Sequence, residues 1–253
     1  MESFYSSIKK SYTFRQNHYD TDSRWKILEE LYNKNFLNKE QRNYDNLPKK
    51  IHQIWIGCPF PDKYKKWANT WKQFNPNWEY KLWTDKNIDN IEIPNRKLFD
   101  SIKNAGQKSD FLRYHILNQF GGIYVDTDFE CLKSFDSLTY VDFLAGIAYS
   151  AKLEFCIGLI GSIPNHPILE QIIYNMDKIH NEDSSVIFET TGSYFFTRIF
   201  FKVVTKYMKG IVILPHDYFY PFQPNKRHNE NGKKYIKDCS YAIHYWKVSW
   251  LNK

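Results

Sequence analysis

Two aspartates one residue apart, Asp126 and Asp128, are the side chains of this chain best suited by type and spacing to hold a cation. On an extended backbone, residues i and i+2 point to the same side, so both carboxylates would share one face. Two acids held that close repel unless a cation or a proton lies between them. Hard divalent ions such as Mn²⁺ or Mg²⁺ favour such oxygen ligands and commonly bridge to substrate phosphates. Upstream, Asp110 and Arg113 are one helical turn apart and share a face. A carboxylate there can hold sugar hydroxyls, and a guanidinium can hold hydroxyls or phosphate oxygens. Each piece alone is weak, because a lone D-x-D is common and an Asp–Arg pair at this spacing is usually a surface pair.

The elements that must position these groups lie in one stretch, Gly106 to Leu132. Phe111, Leu112, Tyr114, Ile116, Leu117 and Phe120 give it an apolar face at helical spacing. Ser109 and Asp110 are expected near the start of that helix, where short polar side chains cap free amides. Gly121 and Gly122 end it. Ile123, Tyr124 and Val125 form a short buried strand, and Asp126 and Asp128 follow where it leaves the core. A helix start is thereby joined to a strand end, the place where open α/β sheets bind ligands.

The order S-D-x-x-R, helix, G-G, apolar strand, D-x-D is far more specific than its parts. Residues 109–128, SDFLRYHILNQFGGIYVDTD, resemble the sugar-donor site of glycosyltransferase family 32. That family includes bacterial capsular-polysaccharide enzymes and the fungal mannosyltransferase that starts outer chains. More distantly, the segment is similar to the catalytic domain of the large clostridial glucosylating toxins. The resemblance implies an α/β chain with a glycosyltransferase type A fold, a single Rossmann-like mixed sheet flanked by helices. The catalytic domain would span residues 47–253, and residues 1–46 would be an N-terminal helical or mobile extension.

Three further segments carry the resemblance. LPKKIHQIWIG, residues 47–57, is similar to the family's first strand, which implies that Trp55 flanks the nucleobase and that backbone around Ile54 reads its edge. His52 is read as structural. ETTGS, residues 189–193, stands where the family has T-G-P, making Thr191 and Gly192 candidates for sugar contacts, with Ser193 a departure. HYWKVSW, residues 244–250, is similar to the family's closing H-x-x-x-x-S-W. It implies His244 as the third metal ligand beside Asp126 and Asp128, with Ser249 and Trp250 on the diphosphate. Tyr245 departs from the second histidine that members usually carry there.

Periodicity supplies the remaining elements. Arg24 to Leu37 reads as a helix burying Trp25, Leu28, Leu31, Tyr32 and Phe36. Asp62 to Phe74 reads as a basic helix with Tyr64, Trp67, Ala68, Trp71 and Phe74 inward. With strands on either side, at Ile51–Gly57 and Trp78–Trp83, it makes a βαβ unit that implies parallel pairing. Strands are expected at 143–148, 155–161 and 211–214, and helices from Pro164 to His180 and from Tyr194 to Met208. His166 is read as a turn or capping residue.

Composition bounds the function. A hydrophobic content of 42% and aromatic content of 18% argue against disorder. The formal charge of +7 favours anionic partners such as nucleotide diphosphates, acidic headgroups or nucleic acid. Lysines cluster at 63, 65, 66 and 72, and basic residues again between 226 and 237. Four cysteines without C-x-x-C spacing argue against a zinc site and suit a reducing cytosol. No stretch approaches the roughly 20 apolar residues of a membrane span, and the N-terminus lacks a signal-peptide core. The expected location is cytoplasmic, with peripheral contact to an anionic membrane left open.

The resemblance implies a metal-dependent, retaining glycosyltransferase. Asp110, Arg113, Asp126 and Asp128 would carry catalysis, with Mn²⁺ or Mg²⁺ as cofactor. The donor would be a nucleoside-diphosphate sugar, UDP-linked in preference to GDP-linked, and the acceptor a hydroxyl of a glycan, lipid-linked sugar or protein rather than a nucleic acid. A haloacid-dehalogenase-type phosphatase also begins with D-x-D. It has Thr or Val two residues past the second aspartate, though, where this chain has Glu130. A basic, aromatic-rich binder of nucleic acid or glycan would need neither acid pair.

Overall fold

The computed structural model describes residues 2–11, 14–38, 45–147, 153–178, 187–228 and 231–247. The N-terminal segment, polar enough to be read as an accessory, is helical and packed. Its helices are α1 (Phe4–Lys9), α2 (Gln16–Thr21) and α3 (Arg24–Tyr32), the last running on as a wider π turn through Leu37. Phe4, Leu28, Leu31 and Tyr32 are fully buried, which explains why so polar a stretch folds onto the domain: a few large apolar groups suffice. Asn35 in the π turn donates to the carbonyls of Met208 and Ile211, both at 2.8 Å. Asn35→Ala would strand two shielded carbonyls and should cost about 2 kcal/mol of stability, read by urea unfolding.

After residue 45 the chain alternates strand and helix. β1 (Lys50–Ile54), α4 (Asp62–Phe74) and β2 (Glu79–Trp83) form the expected parallel unit, with Lys50 opposite Glu79 and Ile54 opposite Trp83. α5 (Arg96–Ser101) and α6 (Ala105–Phe120) lead into β3 (Gly122–Val125), which pairs in parallel with β1. β4 (Phe129–Cys131) leaves this sheet, and β5 (Phe143–Ile147) and β6 (Phe155–Ser162) return to it. Next come α7 (Pro167–Met176), the short α8 (Ile187–Thr190), α9 (Ser193–Val203) and β7 (Ile211–Leu214). α10 (His216–Phe219) and β8 (Ala242–His244) complete the described elements.

The main sheet has the order β2-β1-β3-β6-β5-β7, and β6 runs antiparallel to both its neighbours. It is the expected mixed sheet flanked by helices. β3, β5 and β7 are buried along their whole length, consistent with cover on both faces. β4 and β8 form a separate antiparallel pair, with Phe129 opposite His244.

Several expected boundaries shift. α6 begins at Ala105, because the Asn104 side chain already accepts from the amides of Gly106 (2.8 Å) and Gln107 (3.1 Å). Ser109 and Asp110 therefore sit in the second turn and cap nothing. Phe74, expected inward, is 37% exposed at the last position of α4, where the chain turns away at Asn75. α7 is shorter than the periodicity suggested, and His166 caps it as expected, its Nδ1 accepting from the Ile168 amide at 3.2 Å. All four cysteines are free thiols. Among the described residues, no helix is long and apolar enough to cross a membrane.

Candidate active site

β3 delivers Asp126 to the edge of the core and ties it there, since the Asp126 amide donates to the Gly158 carbonyl on β6 at 2.8 Å. A turn of two residues then starts β4, and Asp128 stands at its entrance. β8 lies antiparallel to β4, which sets His244 beside Asp128: His244 Nε2 and Asp128 Oδ1 are 3.0 Å apart. Asp126, Asp128 and His244 each offer one ligand atom within 4.8 Å of the others. Two neighbouring ligands of an octahedral divalent ion bonded at about 2.1 Å lie about 3 Å apart, so the Asp128–His244 edge has the right length. Two carboxylates and an imidazole are also a fitting donor set for Mn²⁺ or Mg²⁺. The residues present therefore fit a divalent cation.

The electrostatics agree with that use. Burial pushes the Asp128 carboxyl up, but the facing imidazole and the Lys247 amide, donating to Oδ2 at 2.6 Å, outweigh it and hold the group below the usual range. Burial would depress His244, but the facing Asp128 carboxylate opposes it and the ring rises to about 10. Asp126 goes the other way: burial raises it, Arg113 opposes, and Asp128 adds to the rise.

Behind the acids lies Arg113 on α6, its side chain 6% exposed. One terminal nitrogen is 2.8 Å from Asp110 Oδ1 and 3.5 Å from Asp126 Oδ1. Its other terminal nitrogen donates to the Ile157 carbonyl at 2.8 Å, and the guanidinium lies over the Tyr124 ring at 4.4 Å. The remaining Asp110 oxygen accepts from the Thr191 hydroxyl at 3.2 Å, and Tyr114 donates to the Thr191 carbonyl at 2.8 Å. Burial raises the Asp110 carboxyl to about 6, against the pull of Arg113. Asp110, Arg113, Asp126 and Thr191 thus form one hydrogen-bonded and ionic cluster contiguous with the three metal-ligand candidates.

The remaining expected site residues divide. Gly192 follows Thr191 as the extended residue just before α9. Ile54 is buried, and Trp55 is half-buried at the end of β1, one strand over, packed against Phe60 and Tyr64. Its Nε1 is shielded and has no hydrogen-bond partner among the described residues. Ser249 and Trp250 lie outside the described residues. His52 is structural as read: Nε2 lies 2.9 Å from the Gly121 carbonyl, and Nδ1 accepts from Trp83 at 3.1 Å.

Two participants escaped the sequence reading, and a third, Tyr245, was read only as a departure. Tyr124 donates to Asp126 Oδ1 at 2.6 Å, and its spacing of two from Asp126 was a usable signal. Trp246 holds a left-handed backbone (φ 55°), which is strained for a bulky residue, with its ring centroid 4.0 Å from that of His244. Tyr245 stacks on Trp67 of α4 (4.7 Å, 15°) and donates to Glu130 at 2.5 Å, so the departure from histidine has its own partners. Tyr245→Phe should lower stability by about 1 kcal/mol in urea unfolding. Unchanged stability would mean that this hydroxyl holds nothing in place.

A family model described as "Glycosyltransferase sugar-binding region containing DXD motif" matches residues 61–143. A glycosyltransferase of Acanthamoeba polyphaga mimivirus is 31% identical over 219 residues, covering 81% of this chain and 84% of its own. The chain belongs to the DXD-motif glycosyltransferases of family 32. Two relatives in this family are an inositol phosphoceramide mannosyltransferase of Schizosaccharomyces pombe (32% over 136 residues) and a mannosyl phosphorylinositol ceramide synthase of Saccharomyces cerevisiae (29% over 180 residues). The alignments cover 52% and 68% of this glycosyltransferase but only 39% and 46% of those relatives. A solved structure, the PaToxG glycosyltransferase, superposes with a TM-score of 0.53 at 19% identity, over 79% of this chain and 80% of that one. The fold is glycosyltransferase type A, and the enzyme class is transferase rather than phosphatase.

Proposed function

We propose that this glycosyltransferase moves a hexose from a nucleoside-diphosphate sugar to a hydroxyl acceptor, with a divalent cation as cofactor. The observation that carries the reading is the convergence of Asp126, Asp128 and His244 within 4.8 Å, next to the buried Asp110–Arg113 pair. These three residues would hold Mn²⁺ or Mg²⁺, whose charge would offset that growing on the departing diphosphate. Arg113 and Asp110 would orient the donor sugar, so their contribution is one of position. Thr191 and Gly192 would touch the sugar, and Ile54 and Trp55 the base. Ser249 and Trp250 would meet the diphosphate.

Retention of configuration is taken from the family resemblance, and the engagement of Asp110 bears only on its route. One Asp110 oxygen is held by Arg113 and the other by Thr191, so the carboxylate is poorly free to attack carbon. A front-face displacement, in which the leaving phosphate helps to deprotonate the acceptor hydroxyl, is the reading that remains. The mannosyl relatives make mannose the first sugar to try, carried on UDP and on GDP in turn. They also make a phosphorylinositol-bearing lipid the first acceptor. The exposed Lys63, Lys65 and Lys66 on α4 would suit contact with an anionic membrane.

A screen of nucleotide sugars for release of free nucleoside diphosphate, with Mn²⁺ and then with chelator, tests the proposal. Release from one donor, abolished by chelation and restored by Mn²⁺, is the expected result. Turnover that persists with chelator present overturns metal dependence. No turnover with any nucleoside-diphosphate sugar, in the presence of acceptor, overturns the donor class.

A further inference from the structure

β6 carries an irregularity at the active site. Its pairing with β5 runs Ala145 opposite Ile160, but the next pair is Gly146 opposite Cys156, so Ile157, Gly158 and Leu159 bulge out of the ladder. Bulges beside active sites re-aim backbone groups, and this one does so at Ile157. The Ile157 carbonyl accepts from Arg113, and the Gly158 carbonyl accepts from the Asp126 amide.

Gly158 also leaves a space. A Cβ there would lie 2.8 Å from Asp126 Oδ2, 3.1 Å from Phe129 Cε2 and 3.5 Å from Asp126 Cγ. Neither neighbour can give way cheaply. The other Asp126 oxygen is pinned by Tyr124 at 2.6 Å and faces Arg113 at 3.5 Å. The Phe129 ring is stacked on His244 with centroids 4.2 Å apart and planes 9° from parallel. One added methyl would therefore press on one candidate metal ligand directly and on a second through the ring that backs it.

We propose that Gly158 is a positioning residue for the cation site: its missing side chain sets where the Asp126 carboxylate stands relative to Asp128 and His244. The inference rests on the reading of those three residues as a metal site. Outer contacts that orient metal ligands typically change affinity 10- to 100-fold when altered, and a change of about that size is expected here.

The test is Mn²⁺ binding to purified Gly158→Ala, without donor, followed by electron paramagnetic resonance of free Mn²⁺ and by chelator competition, alongside the melting temperature of the metal-free protein. Expected is a drop of roughly tenfold or more in Mn²⁺ affinity with folding retained. Wild-type binding together with variant binding within about twofold of it overturns the inference and leaves the metal site standing. A wild-type protein that takes up no Mn²⁺ overturns the metal reading and this inference with it. Should Gly158→Ala fail to fold, Asp126→Ala/Gly158→Ala decides. Removing the carboxylate gives the methyl room, so the double variant should fold, and its failure to fold would show that the methyl does not act through Asp126.

Discussion

Asp128→Asn is expected to lower donor turnover by on the order of a thousandfold at neutral pH, the loss that follows when a preorganised charge at the leaving group is removed. Shape is nearly conserved, because the amide oxygen can still accept from Lys247, so the variant isolates the charge. Without that charge His244 loses the partner that raises it to about 10, and burial then favours the neutral ring. This relief keeps the stability cost to about 1–2 kcal/mol, less than for a buried pair whose survivor stays charged. Initial rates of nucleoside-diphosphate release, with Mn²⁺ affinity and urea unfolding on the same samples, check it. Turnover within tenfold of wild type would remove Asp128 from the machinery.

Arg113→Ala should be nearly as severe, at about a hundredfold to a thousandfold in turnover, and costlier to the fold, by about 3 kcal/mol. Arg113 is the cation among Asp110, Asp126 and the Ile157 carbonyl, and alanine leaves the buried Asp110 and the half-buried Asp126 without their shared cation. Arg113→Lys should recover only part of the loss, since an ammonium cannot fork between two acids and a carbonyl. The pH profile separates orientation from bulk stability. Asp110 has a folded value of about 6 against an ordinary value near 3.8, so the fold favours its protonated form. Its contribution to stability therefore falls as pH rises from about 4 to about 6 and is constant above that. Activity that needs the carboxylate runs the opposite way and drops as pH falls through about 6. Because Arg113 pulls that value down, the lysine and alanine variants should move the acid limb toward neutral pH. An acid limb that stays put in both variants would show that Asp110 is not the group being read.

The contrast between these two clusters shows where sequence reasoning was sufficient. Asp110 and Arg113 are three residues apart on one helix, and Asp126 and Asp128 flank one turn after one strand, so local geometry alone brings each pair together. The βαβ unit of β1, α4 and β2 was legible for the same reason, since its apolar periods and loop lengths allow few arrangements. Helix ends were read less well. At α6 the competition between Asn104 and the Ser109-Asp110 pair was won by the residue whose side chain reached free amides first. Of the N-terminal helices only α3 was legible as a helix, and its burial against β7 and α10 depends on a few large side chains finding partners far along the chain, as Tyr32 finds Tyr218 at 3.0 Å.

What the sequence by itself determined is therefore the set of local pairs and, through a resemblance, the family. The resemblance also named His244 beside Asp126 and Asp128, but only the tertiary structure shows what brings the three within 4.8 Å of one another. His244 is 116 residues from Asp128, and neither strand of the β4–β8 pair announces the other, because a three-residue antiparallel pairing has no periodicity long enough to read. The same holds for the bulge at Ile157–Leu159, where a carbonyl and a missing side chain do the positioning. Neither leaves a mark in residue type that distinguishes it from ordinary strand, so only the folded backbone reveals it.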